Sequence, residues 1–297
     1  MEFVLMDGTG NRFLVLDAFR HAPPADEALP SLARDLCRRE RLPQTGSVSD
    51  RSNGSCADGL LIAEPAKGYA GRMRVYNADG SIAEMCGNGL RCVGKLLFDR
   101  GHAGERFVVA TDAGPRDVEV LSASDETSDL RIGLGKPVFD PALIPTTLSG
   151  TPPIEQPIDI DGESWLVTCV SMGNPHAVTF IADPEIAPVE GVGRMIERHA
   201  VFPHRTNVEF ASIVSPAAIR LRVWERGVGE AAACGTGAAA TAVAAILTGR
   251  TQRDVTIHLR GGDLQISWPS DDAEVSLTGP AKIVDVVNWA SRDSIRV

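Results

Sequence analysis

Apolar positions fall mostly in short blocks or alternate with polar ones, and only a few stretches repeat every three or four residues. FVLMDGTGNRFLVLDAF, starting at Phe3, is two apolar runs around a glycine-rich turn and predicts a β-hairpin. EALPSLARDLCRRER (27–41) reads as a helix after Pro30, with Leu32, Leu36 and Cys37 on one face. GLLIAEP (59–65) and GRMRVYNADG (71–80) read as strand, turn, strand. CGNGLRCVGKLLFDRG has helical spacing, with Leu90, Val93 and Leu97 in register and Gly101 as the stop. Strands at RFVVAT and RDVEVL follow.

Between Lys136 and Asp159 stand six prolines, which break helices and central strands, so this stretch reads as a connector. Beyond it, WLVTCVSMGNPHAVTFI gives two apolar runs around a Gly-Asn turn, and MIERHAVFP (195–203) a short helix. TNVEFASIV and AIRLRVWERG predict strands, and an alanine-rich helix runs from Cys234 to about Leu247, ended by Gly249. DVTIHL, DLQISW, AEVSL and AKIVDVV predict four closing strands.

The two halves share an order. Gly10-Asn11 precedes the apolar run FLVL, and Gly173-Asn174 precedes AVTF by two residues. Each half then reaches a strand, a turn, a cysteine before a Gly-polar-Gly triplet, and a helix: Cys86 in EMCGNGLRC and Cys234 in AAACGTGAAA. Ordered matches of this kind predict an internal duplication.

Composition narrows the function classes. The chain has 297 residues, 43% hydrophobic and 23% charged, enough for one large or two medium domains with a real core. A net charge of −10 and 5% aromatic residues argue against nucleic-acid and anionic-membrane partners. The start, MEFVLMDGTG, lacks a basic leader, and the longest apolar run, Ala238–Leu247, is too short for a membrane span, so a cytoplasmic protein is expected. Six cysteines without a C-x-x-C pair suggest neither a disulfide framework nor a zinc site, and Cys37, Cys92 and Cys169 read as core residues.

The cysteine motif sits where a strand ends and a helix begins. The first helical N–H groups lack internal partners and carry about half a positive charge. The glycines admit a ligand to the backbone, making a site for a carboxylate or phosphate. The same field is expected to lower the thiol's pKa from about 8.5 towards neutrality. Two such thiols suit inversion of an α-carbon, one removing a proton and the other returning one. No pyridoxal or nucleotide signature accompanies them, and no cofactor or metal is expected. Taken singly, Asn11, Asn77 and Asn174 have turn readings, Glu225-Arg226 reads as a surface pair, and His176 as a satisfied core histidine.

NADGSIAEMCGNGLRC, SMGNPHAV, FPHRTNVEF and WERGVGEAAACGTGA together resemble the diaminopimelate epimerase family across most of the chain. Asn88 separates them from proline racemase-like relatives, which typically have His at that place. The resemblance implies an α+β fold of two pseudo-symmetric domains, each a mostly antiparallel, barrel-like sheet around a central helix. The expected domains are residues 1–134 plus 280–297, and 135–279. It implies a cofactor-independent homodimeric isomerase interconverting LL- and meso-diaminopimelate, for lysine and peptidoglycan synthesis. Cys86 and Cys234 would be the acid/base thiols. Gly87-Asn88 and Gly235-Thr236 would bind the reacting carboxylate. Asn11, Asn77, Asn174, Asn207 and Arg226 would hold the substrate, with Glu225 lining the site. His176 and Glu225 would tune the thiols.

Four places depart from the family pattern: Asp7 where a His is usual, Arg12 where an acid is usual, Gly54-Ser55-Cys56 for a Gly-Ile-Gly, and Ala231 for a Thr or Ser. They leave open a racemase of another amino acid on the same scaffold. A carboxylate-binding protein and a redox switch are the alternatives from other classes.

Overall fold

A computed structural model describes residues 1–37 and 57–289. The last residues of the helix predicted over 27–41, and the departure at Gly54-Ser55-Cys56, lie outside the described residues. The chain divides into two compact units, Met1–Ile132 with the chain from Gly279 onwards, and Gly133–Thr278.

The first unit opens with antiparallel β1 (Glu2–Gly8) and β2 (Asn11–Asp17). Their two-residue turn puts Thr9 (φ 58°) and Gly10 (φ 84°) in the left-handed region that such hairpins demand. Glycine takes it freely, whereas β-branched Thr9 is held by Arg91, whose Nη2 donates to its Oγ1 at 2.7 Å. Helix α1 (Leu29–Leu36) then carries the chain back, so β3 (Gly59–Glu64) joins β2 in parallel. The buried stripe of α1 is Leu29, Ala33 and Leu36, with Leu32 only partly buried. Next come β4 (Gly71–Asn77), β5 (Ile82–Ala83), α2 (Gly87–Asp99), β6 (Arg106–Ala110), β7 (Arg116–Ala123) and β8 (Thr127–Gly135).

The second unit repeats this order. After β9 (Gln156–Ile160) come the hairpin β10 (Glu163–Ser171) and β11 (Pro175–Phe180), then α3 (Val189–Glu197). β12 (Asn207–Ser215) joins β11 in parallel, as β3 joins β2. β13 (Ala218–Glu225), β14 (Gly229–Ala231), α4 (Gly235–Leu247), β15 (Asp254–Leu259) and β16 (Gly262–Ser267) match β4 to β7 in order. The sense of pairing matches too: β6 runs parallel to β4, and β15 parallel to β13. β17 (Val275–Asn288) pairs with β16 through Thr278 and with β1 from Lys282 onwards.

In each unit one helix is enclosed. Gly87–Leu97 of α2 is buried throughout, against β1 to β4 and β7. α4 is buried all round apart from Thr236 in its first ten residues, against β10 to β13, β15 and β16. Leu90, Leu96 and Leu97 are 0–2% exposed, and each such side chain contributes about 1.5–3 kcal/mol. Enclosure also explains α4's composition: a helix with strands on every side has no polar face to offer, and alanine permits close approach. Among the described residues no helix is long and apolar enough to cross a membrane.

Four features differ from the pattern reading. The proline-rich connector ends in a strand, β9, which accepts Pro157 near its start, where a missing N–H costs little. AEVSL and AKIVDVV form one strand, β17, continuing through Gly279-Pro280. β5, β8 and β14 went unpredicted, two of them being only two and three residues long. Finally, α3 lies six residues before the predicted helix, because Gly191 and Gly193 hide its start. Gly193 is there for contact: a Cβ on it would lie 2.8 Å from Trp224 Cβ. We expect Gly193→Ala to lower unfolding stability by about 1–3 kcal/mol through overpacking, measured by urea denaturation.

Candidate active site

Cys86 and Cys234 occupy the same structural place, the N-cap of an enclosed helix. Their backbones are nearly superimposable in dihedral terms, φ −141°, ψ 115° and φ −130°, ψ 112°. Each sulfur accepts from the third helical N–H, Gly89 N at 3.4 Å and Gly237 N at 3.3 Å. A sulfur so placed does what Ser or Asp does in an ordinary cap, yet keeps a reactive atom at the positive end of the helix dipole.

In the first unit, Gly8 lets the β1–β2 turn press onto α2, since a Cβ there would lie 2.8 Å from Asn88 O. That contact brings Asn11 to Asn88, whose Nδ2 donates to Asn11 Oδ1 at 2.5 Å. Asp58 anchors the pair, accepting from Asn11 Nδ2 at 3.3 Å and from Arg12 N at 2.9 Å. Asn88 is 3% exposed, and its Oδ1 is buried with no partner. Gly87 and Asn88 supply the first two N–H groups of α2. Asn77 is exposed, its Nδ2 donates to Ser81 Oγ at 2.9 Å, and its backbone closes the β4–β5 turn.

In the second unit, His176 is fully buried between two partners. Its Nδ1 lies 2.7 Å from Glu209 Oε1 and its Nε2 2.9 Å from Asn174 Oδ1. Asn207 commits both ends of its amide, donating to Pro175 O and accepting from Arg226 N, which fixes the β13–β14 turn beside β11. Arg226 is exposed, with Nη1 donating to His204 O at 3.2 Å. Thr236 Oγ1 lies 3.5 Å from Cys234 Sγ, and Gly235 and Thr236 open α4.

Electrostatics corrects one expectation. The Cys234 thiol is raised well above its ordinary value rather than lowered: burial dominates, Glu225 and Glu209 add to it, and Thr236 and Gly237 oppose it only weakly. At 8% exposure, loss of hydration outweighs the helix field. Burial likewise pushes Cys92 and Cys169 up to about 12, so both are inert thiols. The cleft lined by Leu96, Asp99, Arg100 and Ile283 lies at the far end of α2 from Cys86. Among the described residues no group of three or more His, Cys, Asp or Glu could hold a metal ion.

Two groups at these helices were absent from the sequence reading. Glu209 is 0% exposed, and its carboxyl is raised by burial while His176 opposes the rise. Its signal was a lone charge inside the apolar strand TNVEFASIV. Arg91 is also 0% exposed; burial lowers its guanidinium to about 10, so it stays charged at neutral pH. Arg91 and Lys95, four residues apart on α2, are both buried within the enclosed helix.

The family model described as diaminopimelate epimerase matches residues 3–139 and 168–284, reaching both repeats. The diaminopimelate epimerase of Moorella thermoacetica is 45% identical over 282 residues, covering 95% of this chain and 96% of its own. Among solved structures, a phenazine biosynthesis protein of the PhzF family from Bacillus anthracis superposes with a TM-score of 0.68 at 12% identity, covering 98% of this chain and 99% of its own. A probable proline racemase from Agrobacterium radiobacter gives 0.66 at 16%, covering 99% and 94%. These two share the fold, while the family match takes in both cysteine motifs and the 45% identity spans nearly the whole chain: this chain belongs to the diaminopimelate epimerase family.

Proposed function

We propose that this protein interconverts LL- and meso-diaminopimelate through Cys86 and Cys234, without an organic cofactor. The observation that carries the reading is the repeated device: two thiols, each capping the first turn of an enclosed helix. Family membership supports the substrate. In the forward step one thiolate takes the α-proton and becomes a thiol, leaving a carbanion. The other thiol then gives its proton to the opposite face and becomes the thiolate, so no net proton is consumed. The reverse reaction exchanges the roles, which suits two groups of one chemical type.

The carbanion's charge spreads onto the α-carboxylate, for which Gly87-Asn88 and Gly235-Thr236 offer helix N–H groups. Donors aimed at developing charge contribute about 3–4 kcal/mol each in favourable cases. For the non-reacting end, Arg226 offers a fixed cation, and Asn11, Asn77, Asn174 and Asn207 offer amides that bind a zwitterion without adding charge. In Asn207 that role is indirect, since its amide holds the Arg226 backbone. His176 and Glu225 bear on the thiols, Glu225 by raising the Cys234 pKa. Acid/base thiols must stay reduced to work, which suits a reducing compartment, so we assign the protein to the cytoplasm. The family resemblance adds a homodimer, which light scattering would check.

Two outcomes are expected. Reduced protein incubated with LL-diaminopimelate in D₂O yields meso product carrying deuterium at the inverted α-carbon, read by mass spectrometry and chiral chromatography. No exchange by the reduced protein would sink the function, while exchange with a different amino acid in a parallel panel would move the substrate. Cys86→Ala and Cys234→Ala should each lower epimerisation at least about a thousandfold, the scale of losing an acid or base from a coupled pair. Normal turnover in either variant would refute the two-thiol mechanism.

A further inference from the structure

The two repeats align without a gap from β3 to α2 and from β12 to α4, and the alignment shows where they differ. Gly59 and Asn207 each lie 27 residues before their cysteine, and each opens the parallel pairing of its strand, opposite Phe13 and His176 respectively. Leu61 and Glu209 each lie 25 residues before the cysteine. They also fill the same space: a Cβ on Gly89 would meet Leu61 Cδ2 at 3.1 Å, and one on Gly237 would meet Glu209 Oε1 at 2.9 Å. The first repeat therefore packs Phe13 and Leu61 behind its cysteine helix, and the second packs His176 and Glu209. The reverse exchange occurs on the helix itself, where Arg91 of α2 corresponds to Ala239 of α4.

A buried cation thus accompanies Cys86, and a buried carboxylate lies under the first turn behind Cys234. Arg91 makes no ion pair among the described residues. Its Nε donates to Pro280 O at 3.1 Å and its Nη2 to Thr9 Oγ1, with Nη1 buried and unpartnered. The ionisable groups that act on it are Cys92, a neutral thiol, Cys86, which caps the same helix five residues before it, and Asp7, itself drawn to Arg12 at 3.8 Å. Around Cys234 the ionisable groups are Glu209 on β12, with His176 of β11 behind it, and Glu225 at the end of β13. Other ionisable groups on the strands around α4 are engaged elsewhere: Arg222 is held by Glu230, and His258 by Asp263. Cys169 on β10 is a neutral thiol at physiological pH.

We propose that Arg91 and Glu209 are positioning residues that make the duplicated thiols inequivalent, Arg91 favouring the anionic form of Cys86 and Glu209 keeping Cys234 protonated. The resting enzyme then presents Cys86 as the base and Cys234 as the acid. This rests on the two-thiol reading above, and supplies what that reading needs, one thiol in each state before substrate arrives.

The test is the pH dependence of iodoacetamide alkylation of the reduced full-length protein, resolved at Cys86 and Cys234 by peptide mass mapping. Midpoints are compared because reagent access scales only rates; burial itself raises the Cys234 midpoint, so the substitutions, rather than the parent difference alone, test the two charges. The Cys86 midpoint should lie below that of Cys234. Arg91→Met should raise it by about one unit or more, the usual scale for losing a nearby opposite charge, while Arg91→Lys retains most of the effect. Glu209→Gln should lower the Cys234 midpoint and leave Cys86 unmoved. Coincident midpoints in the parent protein would overturn the proposal, as would Arg91→Lys shifting Cys86 as far as Arg91→Met, which would make the role one of packing. Should Arg91→Met fail to fold, Arg91→Lys with Glu209→Gln still decides, since an unmoved Cys234 in the latter refutes the acidic half. An asymmetric pair in a protein without D₂O exchange would refute the epimerase function and leave the charge order standing. Active enzyme with equal midpoints would do the reverse.

Discussion

A helix whose first turn is buried must find acceptors for N–H groups that have no helical partner. Both repeats face this constraint, because α2 and α4 lie inside their own sheets. Each meets it with a cysteine sulfur taking the third N–H, and with glycines that keep the turn narrow enough to be enclosed. Much else follows. The strand–turn–strand before each cysteine delivers the cap in an extended conformation. The parallel strand beneath supplies the side chain that touches the glycine, and in the first unit the hairpin before that brings Asn11 to the same end of the helix. The proposed chemistry occupies a place that folding had already obliged the chain to make.

Enclosure also explains the thiol energetics. An exposed N-cap cysteine would feel the helix dipole with little competition and become acidic. Cys234, nearly dry, feels the loss of water first and two carboxyl groups next. The dipole is worth at most about 2 kcal/mol even in favourable buried geometry, whereas burial alone can move a group by 3–5 pKa units. A helix terminus therefore does not by itself make a thiolate of Cys234.

The strands with alternating patterns and the two enclosed helices were legible because burial on one face, or on all, leaves a periodic trace. Both hairpins were legible from Gly10-Asn11 and Gly173-Asn174, where turn chemistry is local. The duplication could be read from order alone, since the cysteine motifs punctuate both halves. What escaped had no local trace. β5 and β14 exist only because a neighbouring strand pairs with them. The start of α3 was masked by Gly193, chosen for its contact with Trp224 rather than for helix propensity. Among the proposed site residues, Asn207 was recognised from the family pattern, yet its linkage of Pro175 to Arg226 needed the fold. Glu209 and Arg91 were overlooked for opposite reasons. One is a charge within an apolar strand, and the other sits at a spacing that normally marks a solvated face.

A duplicated scaffold tends to give two copies of everything, and the proposed two-thiol mechanism needs two copies of a thiol but not of its protonation state. Equal surroundings would set both sulfurs to the same charge, and a pair of thiols or a pair of thiolates cannot take a proton from one face and supply one to the other. The departure from symmetry must leave the backbone intact, because the capping geometry depends on it. Side chains that occupy equivalent space under the glycine of each first turn meet that requirement. Leu61 and Glu209 share a strand position and a contact, and differ by a charge. Exchanging an apolar side chain for a carboxylate there, with His176 as the group that makes its burial tolerable, changes the electrostatics of one helix start without moving the strand that carries it.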